Sequence, residues 1–378
     1  MAEPFKNLLD AALVRASGHA LMHAWPAFDR KRFERIALAG LDDLEMKARA
    51  MQIADALEAV LPQDFDGACA VIEAALAPPI ATEGVASVRD AEGLAGWIVW
   101  PLGEFVARRG LDHPERALRA LHALTQRFTA EWAIRPLIVA HPALVFDTLL
   151  AWTRDPGPHV RRLASEGSRP RLPWGLQLKT LIADPSPTLP ILAALQDDPS
   201  DYVRRSVANH LNDIAKDHPQ RVVDWVQRHL PGASAERRAL LSHASRTLIK
   251  QGHAGMLALW GAGSAFDGRC ALKAAPKRVN VGESVTLTLT LHSTAATLQT
   301  LLIDYAVHYV KANGGTSAKV FKGWKLNLAA GESRTLVRQH SFKEVTTRRY
   351  HAGRHQFDVA INGASTASTD VDLSLHRR

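Results

Sequence analysis

The sequence predicts an α-solenoid of stacked helix pairs followed by an antiparallel β-sandwich, and two observations carry that prediction. The first is a repeat. The segment Asp155-Pro156-Gly157-Pro158-His159-Val160-Arg161-Arg162 returns as Asp198-Pro199-Ser200-Asp201-Tyr202-Val203-Arg204-Arg205, every position shifted by 43 residues. A weaker copy, Pro114-Glu115-Arg116-Ala117-Leu118-Arg119, lies about one period upstream of Pro156. A helix pair of ~40–47 residues cannot bury its apolar face alone, so copies stack into a HEAT-type solenoid with a long concave wall. The second observation is a change of hydrophobic period from helical to alternating beyond the linker Gly261-Ala262-Gly263-Ser264-Ala265-Phe266-Asp267-Gly268. The expected domains are therefore a solenoid over 1–262 and a sandwich over 268–378.

In chain order, Phe5, Leu8, Leu9, Ala12 and Leu13 fall at helical spacing and predict an amphipathic helix at the start. Helical periodicity continues to about residue 260 with stops at Pro62, Pro78-Pro79, Gly110, Pro136, Pro142, Pro156, Pro185 to Pro190, Pro199, Pro219 and Pro231-Gly232. Proline or glycine at each ends one helix and admits the next. Past the linker, Val285, Leu287, Leu289 and Leu291 alternate with Thr286, Thr288, Thr290 and His292, a strand with one wet face. Further strands read at 299–311, 318–329, 333–343, 348–361 and 368–375, with a turn at Asn313-Gly314-Gly315. About seven short strands in this length suggest an immunoglobulin-like sandwich.

Charge is distributed unevenly. Residues 1–264 hold 30 Lys+Arg against 30 Asp+Glu, and residues 265–378 hold 16 against 8, so the whole formal charge of +8 lies in the second part. A basic sandwich on a neutral body suggests a clamp for a polyanion, with nucleic acid favoured over membrane because no Lys-rich amphipathic helix accompanies it. The two cysteines, Cys69 and Cys270, fall in different parts and provide neither a disulfide framework nor a zinc site. The N-terminus lacks a signal-peptide pattern, and no uncharged apolar run reaches ~18 residues. A cytoplasmic, nucleoid-associated monomer is expected.

No phosphate-loop pattern occurs, and the histidines lack HExxH or comparable metal spacing, so neither cofactor nor metal is expected. Catalysis then falls to carboxylates. Glu166 precedes the helix stop at Gly167 and Pro170, and the loop that follows carries Arg169, Arg171 and Trp174. Asp213 shares a helix of about Tyr202 to Lys216, whose buried stripe is Val203, Val207, Leu211 and Ile214 and whose other face holds Arg205, Asn209, Asn212 and Lys216. Glu131, in Thr129-Ala130-Glu131-Trp132, lies one repeat earlier. Each of the three also admits a plain reading as an ion-pair or helix-surface residue.

The stretch from Val160 to Trp174, Val-Arg-Arg-Leu-Ala-Ser-Glu-Gly-Ser-Arg-Pro-Arg-Leu-Pro-Trp, together with Tyr202 to Ile214, Tyr-Val-Arg-Arg-Ser-Val-Ala-Asn-His-Leu-Asn-Asp-Ile, resembles the bacterial AlkC family of alkylpurine DNA glycosylases, HEAT-like-repeat relatives of AlkD. The resemblance extends to an appended immunoglobulin-like domain through Tyr309 to Gly314, Lys319 to Lys322 and Arg348 to His355. It implies a base-excision-repair enzyme that hydrolyses the N-glycosidic bond of cationic bases such as 3-methyladenine and 3-methylcytosine in duplex DNA, without base flipping. It also implies that Glu131, Glu166 and Asp213 are the catalytic carboxylates and Trp174 the active-site tryptophan.

The charge and repeat patterns place Arg161, Arg169, Arg171, Arg204, Arg205 and Asn209 on the DNA-facing wall of the solenoid. Lys311, Lys319, Lys322, Arg348, Arg349 and Arg354 are the corresponding residues of the sandwich. The alternative is a non-catalytic scaffold that binds damaged DNA or a protein with the same wall.

Overall fold

The computed structural model describes residues 4–80, 93–345 and 348–375. The chain forms two compact units, one of Met1–His218 with Gly232–Ala244 and the other of Pro219–Pro231 with Ser245–Arg378.

Among the described residues, the named elements of the first unit are all helices. Proline occupies the first turn of Pro114–Thr125, Pro142–Trp152 and Pro158–Gly167, where its missing N–H costs nothing. The N-terminal helix differs from the sequence expectation: a short 3-10 turn, Phe5–Leu8, is followed by a separate helix, Ala11–Ala24. Asp10 causes the break, because its carboxylate accepts the Leu13 N–H at 2.8 Å and so caps the new helix. The helix Asp201–Ile214 buries Val203, Val207, Leu211 and Ile214, the stripe read from the sequence, and Ser200 caps it through the Val203 N–H.

The arginine pairs of the 43-residue repeat divide into different roles. Arg161 donates to the carbonyls of Asp155 and Pro156, and Arg204 donates in the same way to those of Asp198 and Pro199. The first arginine of each pair thus closes the loop that enters its own helix. Arg161 also binds Asp198 of the following copy, through Nε at 2.6 Å and Nη2 at 3.0 Å, so the Asp-Pro motif stitches neighbouring repeats together. The second arginines, Arg162 and Arg205, stay out of this closure.

Among the described residues, the second unit contains three helices, Pro219–His229, Arg246–Lys250 and Ala254–Leu259. It also contains eight strands: β1 Gly268–Ala275, β2 Arg278–Asn280, β3 Ser284–Ser293, β4 Gln299–Val310, β5 Thr316–Leu328, β6 Ser333–Ser341, β7 Gly353–Ile361 and β8 Ala364–Ser374. They form two sheets, β1-β3-β6 and β2-β8-β7-β4-β5, antiparallel except for the short parallel pair β2 and β8. Leu287, Leu289, Val307, Phe342, Phe357 and Val359 fill the core between them. The run expected as one strand over 348–361 starts only at Gly353, and a turn at Asn362-Gly363 joins β7 to β8. Among the described residues, no helix is long and apolar enough to cross a membrane.

Candidate active site

Glu131, Glu166 and Asp213 come from three successive layers of the first unit and are all buried, at 7%, 5% and 2% exposure. Glu131 lies in the turn before the helix Ile134–Ala140, Glu166 on Pro158–Gly167 and Asp213 on Asp201–Ile214. Gly167 permits the first two layers to meet: a Cβ there would stand 2.6 Å from the Ile134 side chain.

Two arginines join the three carboxylates in a row. Arg162 Nη1 donates to Glu131 Oε2 at 2.8 Å, and its Nη2 lies 3.6 Å from Glu166 Oε1. Arg169 Nη1 donates to Glu166 Oε1 at 2.6 Å, while its Nε and Nη2 reach Asp213 Oδ2 at 2.8 and 2.7 Å. Lys216 ends the row on Asp213 Oδ1 at 2.7 Å. Thr129 donates to Glu131 Oε2, and Ser206 donates to Glu166 Oε2 at 2.6 Å. Of the six carboxylate oxygens, Glu131 Oε1 is the one without a protein donor among the described residues.

The electrostatics follow from this alternation. Burial alone would raise the Glu166 carboxyl, but the charges of Arg162 and Arg169 and the Ser206 hydrogen bond outweigh it and hold Glu166 below the usual carboxylate range. Burial likewise opposes the charge of Arg162, and Glu131 and Glu166 overcome it. The Arg162 guanidinium also sits 4.8 Å from the Tyr202 ring centroid. Beneath the row, His210 is fully buried; burial and the nearby Arg169 push it down to about 3, so it is neutral and its Nδ1–H donates to the Ser165 carbonyl at 2.9 Å. The site is a row of carboxylates fixed in place by Arg162, Arg169 and Lys216.

Beside it lies an aromatic cluster. Trp174 is 58% exposed and adopts φ +62°, a left-handed conformation that costs a non-glycine residue of order 1–3 kcal/mol and persists where the surroundings impose it. Its indole is parallel to Trp100 within 4° at 6.1 Å between centroids, and packs on Trp132 at 6.3 Å and Phe5 at 5.5 Å. Trp132 Nε1 donates to the Pro173 carbonyl at 3.2 Å. Arg135, fully buried, donates to the carbonyls of Gly167 and Leu176, on either side of Trp174. Burial lowers this guanidinium to about 10, so it remains charged at neutral pH.

The other residues singled out in the sequence are placed as follows. Arg169 is inside the carboxylate row, and Arg171 holds Asp217 through two bonds of 2.8 Å. Arg161 and Arg204 are engaged in the loop closures described above. Arg205 is exposed, 3.1 Å from Asp201, and Asn209 is half-buried. In the second unit, Lys311, Lys319, Lys322 and Arg349 are exposed. Arg354 pairs with Asp370 at 3.1 Å, and Arg348 lies 3.8 Å over the Tyr309 ring. Strand register brings several of these to one end of the sandwich: Lys311 follows the last residue of β4, and Gly353, which opens β7, lies against Val310. Lys322, opposite Asp304, stands farther along β5.

Sequence reasoning did not assign Arg162, Ser206, Trp100 or Phe5 to the site. Arg162 was legible, since it lies four residues before Glu166 on one helix. The aromatic residues come from distant segments and carried no joint signal.

Residues 127–248 match the family model described as DNA alkylation repair enzyme, and residues 269–375 the one described as Uncharacterised protein YhaZ, C-terminal Ig-like domain. The chain is 37% identical to "Uncharacterized protein YhaZ" of Bacillus subtilis (strain 168), covering 97% of this chain and 99% of that protein. Among solved structures it is similar to Pseudomonas fluorescens alkylpurine DNA glycosylase AlkC bound to DNA containing an abasic site analog, at 35% identity and a TM-score of 0.88, covering 98% of this chain and all of the other. With both models matched in order and similarity running the length of the chain, the protein belongs to the AlkC family of alkylpurine DNA glycosylases, enzymes of DNA alkylation repair.

Proposed function

We propose that this protein hydrolyses the N-glycosidic bond of cationic alkylated bases, 3-methyladenine and 3-methylcytosine, in duplex DNA, acting as a monomer and without swinging the base into a pocket. The observation that carries this reading is the buried row Glu131, Glu166 and Asp213, held by Arg162, Arg169 and Lys216 beside the exposed Trp174. A base methylated at N3 already carries positive charge. When its bond to C1′ breaks, the electron pair goes to the base and neutralises it, so no acid has to protonate the leaving group. Positive charge then develops on the sugar. Water adds to C1′ and gives its proton to a carboxylate or to solvent.

Ionised groups aimed at a developing charge are typically worth about 3–4 kcal/mol by analogy with oxyanion-hole donors. Because their salt bridges hold the carboxylates rigid, they need no reorganisation during the reaction. We assign Glu131, whose Oε1 has no protein donor among the described residues, to the water. Trp174 presents a π-face to the cation, a contact of roughly 0.5–2 kcal/mol. Neutral bases gain little from either device, which gives selectivity without an enclosing pocket.

The relative of known structure was solved on DNA containing an abasic site analog, which resembles the product of this reaction. The proposed division of labour puts chemistry in 1–262 and backbone binding in the basic 268–378. Asn209, Lys311, Lys319, Lys322 and Arg349 are the proposed DNA-binding residues outside the ion-pair networks, Lys319 lying 5.5 Å from the Phe321 ring centroid, whereas Arg161, Arg169, Arg171, Arg204, Arg205, Arg348 and Arg354 would exchange the partners they now hold for DNA. Incubation with duplex holding one 3-methylated base tests the proposal. An abasic site supports it, whereas intact DNA that is nonetheless bound would identify a non-catalytic scaffold.

A further inference from the structure

The two largest fully buried side chains among the described residues are both arginines, Arg49 and Arg135. Each is engaged with main-chain carbonyls. Arg135 donates to Gly167, Pro170 and Leu176 and so fixes the loop that displays Trp174. Arg49 donates to Lys6 and Leu9 at 3.2 and 3.1 Å, and to Asp42 and Leu44 at 3.1 and 2.9 Å. It thereby fixes the 3-10 turn that displays Phe5.

Removing a guanidinium from water is unfavourable unless its donors are satisfied. The fold does this twice, under two segments whose aromatic rings touch each other in the open. Phe5 is 47% exposed and Trp174 58%, with centroids 5.5 Å apart and planes inclined at 52°. Phe5 also meets Trp97 edge-on at 4.8 Å, and Trp97 packs on buried Phe128 at 4.7 Å, so the pair rests on a packed floor. Exposed aromatics held this rigidly mark a contact surface rather than a packing defect.

We propose that Phe5 is a specificity-determining residue, the second π-face beside Trp174 for the cationic base. This inference rests on the proposed excision of cationic bases. The loop bearing Trp174 also bears Arg169 of the carboxylate row, so the two rings border the reacting nucleotide. A ring face attracts a cation through its quadrupole and offers a neutral base only surface area. Two inclined faces therefore raise discrimination by charge.

The test compares Phe5→Leu, which keeps apolar packing on Trp97, with Phe5→Tyr, which keeps the ring. For each variant and for the unaltered protein, single-turnover excision of 3-methyladenine is measured, together with affinity for duplex holding 3-deaza-3-methyladenine, its neutral isostere. The expected result is a loss of roughly 3- to 30-fold in excision for Phe5→Leu, unchanged affinity for the neutral duplex, and excision restored in Phe5→Tyr. Equal losses in both measurements would make Phe5 an ordinary apolar or wedging residue and overturn the proposal. Full activity of Phe5→Leu alongside an impaired Trp174→Ala would overturn it while leaving the excision reading intact. Absence of excision by the unaltered protein would overturn both.

Discussion

Arg169 grips Asp213 with two nitrogens on one oxygen, Nε at 2.8 Å and Nη2 at 2.7 Å, and so presents as a fixed negative charge a carboxylate that the sequence placed on an open helix face. Asp213→Asn preserves size and hydrogen bonding but removes that charge. Excision should fall by about two orders of magnitude or more, the scale of a preorganised electrostatic interaction, while duplex affinity stays nearly constant. The variant also weakens a buried pair, so single-turnover rates and binding must be read on folded protein well below its melting temperature. Near-normal excision would reduce Asp213 to a structural partner of Arg169.

Glu166 sets a pH expectation. Its folded carboxyl is held below the ordinary carboxylate range despite burial, by Arg162, Arg169 and Ser206. A depressed carboxylate contributes stability that is fully present above its unfolded pKa of about 4.3 and is lost as pH falls through the folded value. The stability gap between the unaltered protein and Glu166→Gln should therefore be constant from about pH 5 to 8 and shrink below about pH 4. His210, neutral in the fold and lowered to about 3, destabilises both proteins alike below its unfolded pKa; because Glu166 raises it, the two proteins differ in this respect only as pH falls toward about 3. Urea unfolding midpoints across this range provide the measurement. A gap that widens toward acid would mean that Glu166 is protonated in the fold.

The division of the chain into helices and strands was legible because local periodicity and proline punctuation encode it, as in the buried stripe of Asp201–Ile214 and the alternation of β3. The carboxylates stand out from their motifs, but their burial does not. Asp213 reads as a surface residue until Arg169, 44 positions earlier, closes on it. The roles of Arg161 and Arg204 were hidden for a related reason. Repetition of a basic residue looks the same whether it tracks phosphate or ties down a loop, and only the carbonyls of Asp155, Pro156, Asp198 and Pro199 separate the two. The meeting of Phe5 with Trp174 depends on two buried arginines that pattern analysis counts as surface charge.

Trp174 provides a test of stored backbone strain. At φ +62° a side chain is disfavoured and glycine is not. Trp174→Ala and Trp174→Gly remove the same indole, yet the glycine variant should be more stable by about 1 kcal/mol, because alanine retains the left-handed penalty. Both should lose excision, by less than Asp213→Asn does, since a cation–π interaction is weaker than a fixed charge. Denaturant melts of the two variants decide the first point. Equal stability would mean that the loop relaxes and that Arg135 does not impose the conformation of Trp174.

The basic sandwich makes a separate claim about affinity. Lys311, Lys319 and Lys322 are exposed on the β4–β5 hairpin, whereas Arg348 is stacked on Tyr309 and Arg354 is paired with Asp370. The lysines are therefore the cleaner probes of backbone binding. Replacing all three with glutamine should weaken duplex binding at low salt and make the slope of log K against log[salt] shallower by about 0.9 for each phosphate that is no longer neutralised. Undamaged and lesion-bearing duplex should be affected alike, because bonds to phosphate carry no information about the base. Single-turnover excision at saturating protein should stay near that of the unaltered enzyme, since Glu131, Glu166, Trp174 and Asp213 all lie in the other unit. Titrations at several salt concentrations test this directly. An unchanged slope would remove this hairpin from the DNA interface and leave the excess positive charge of the sandwich without a role in binding.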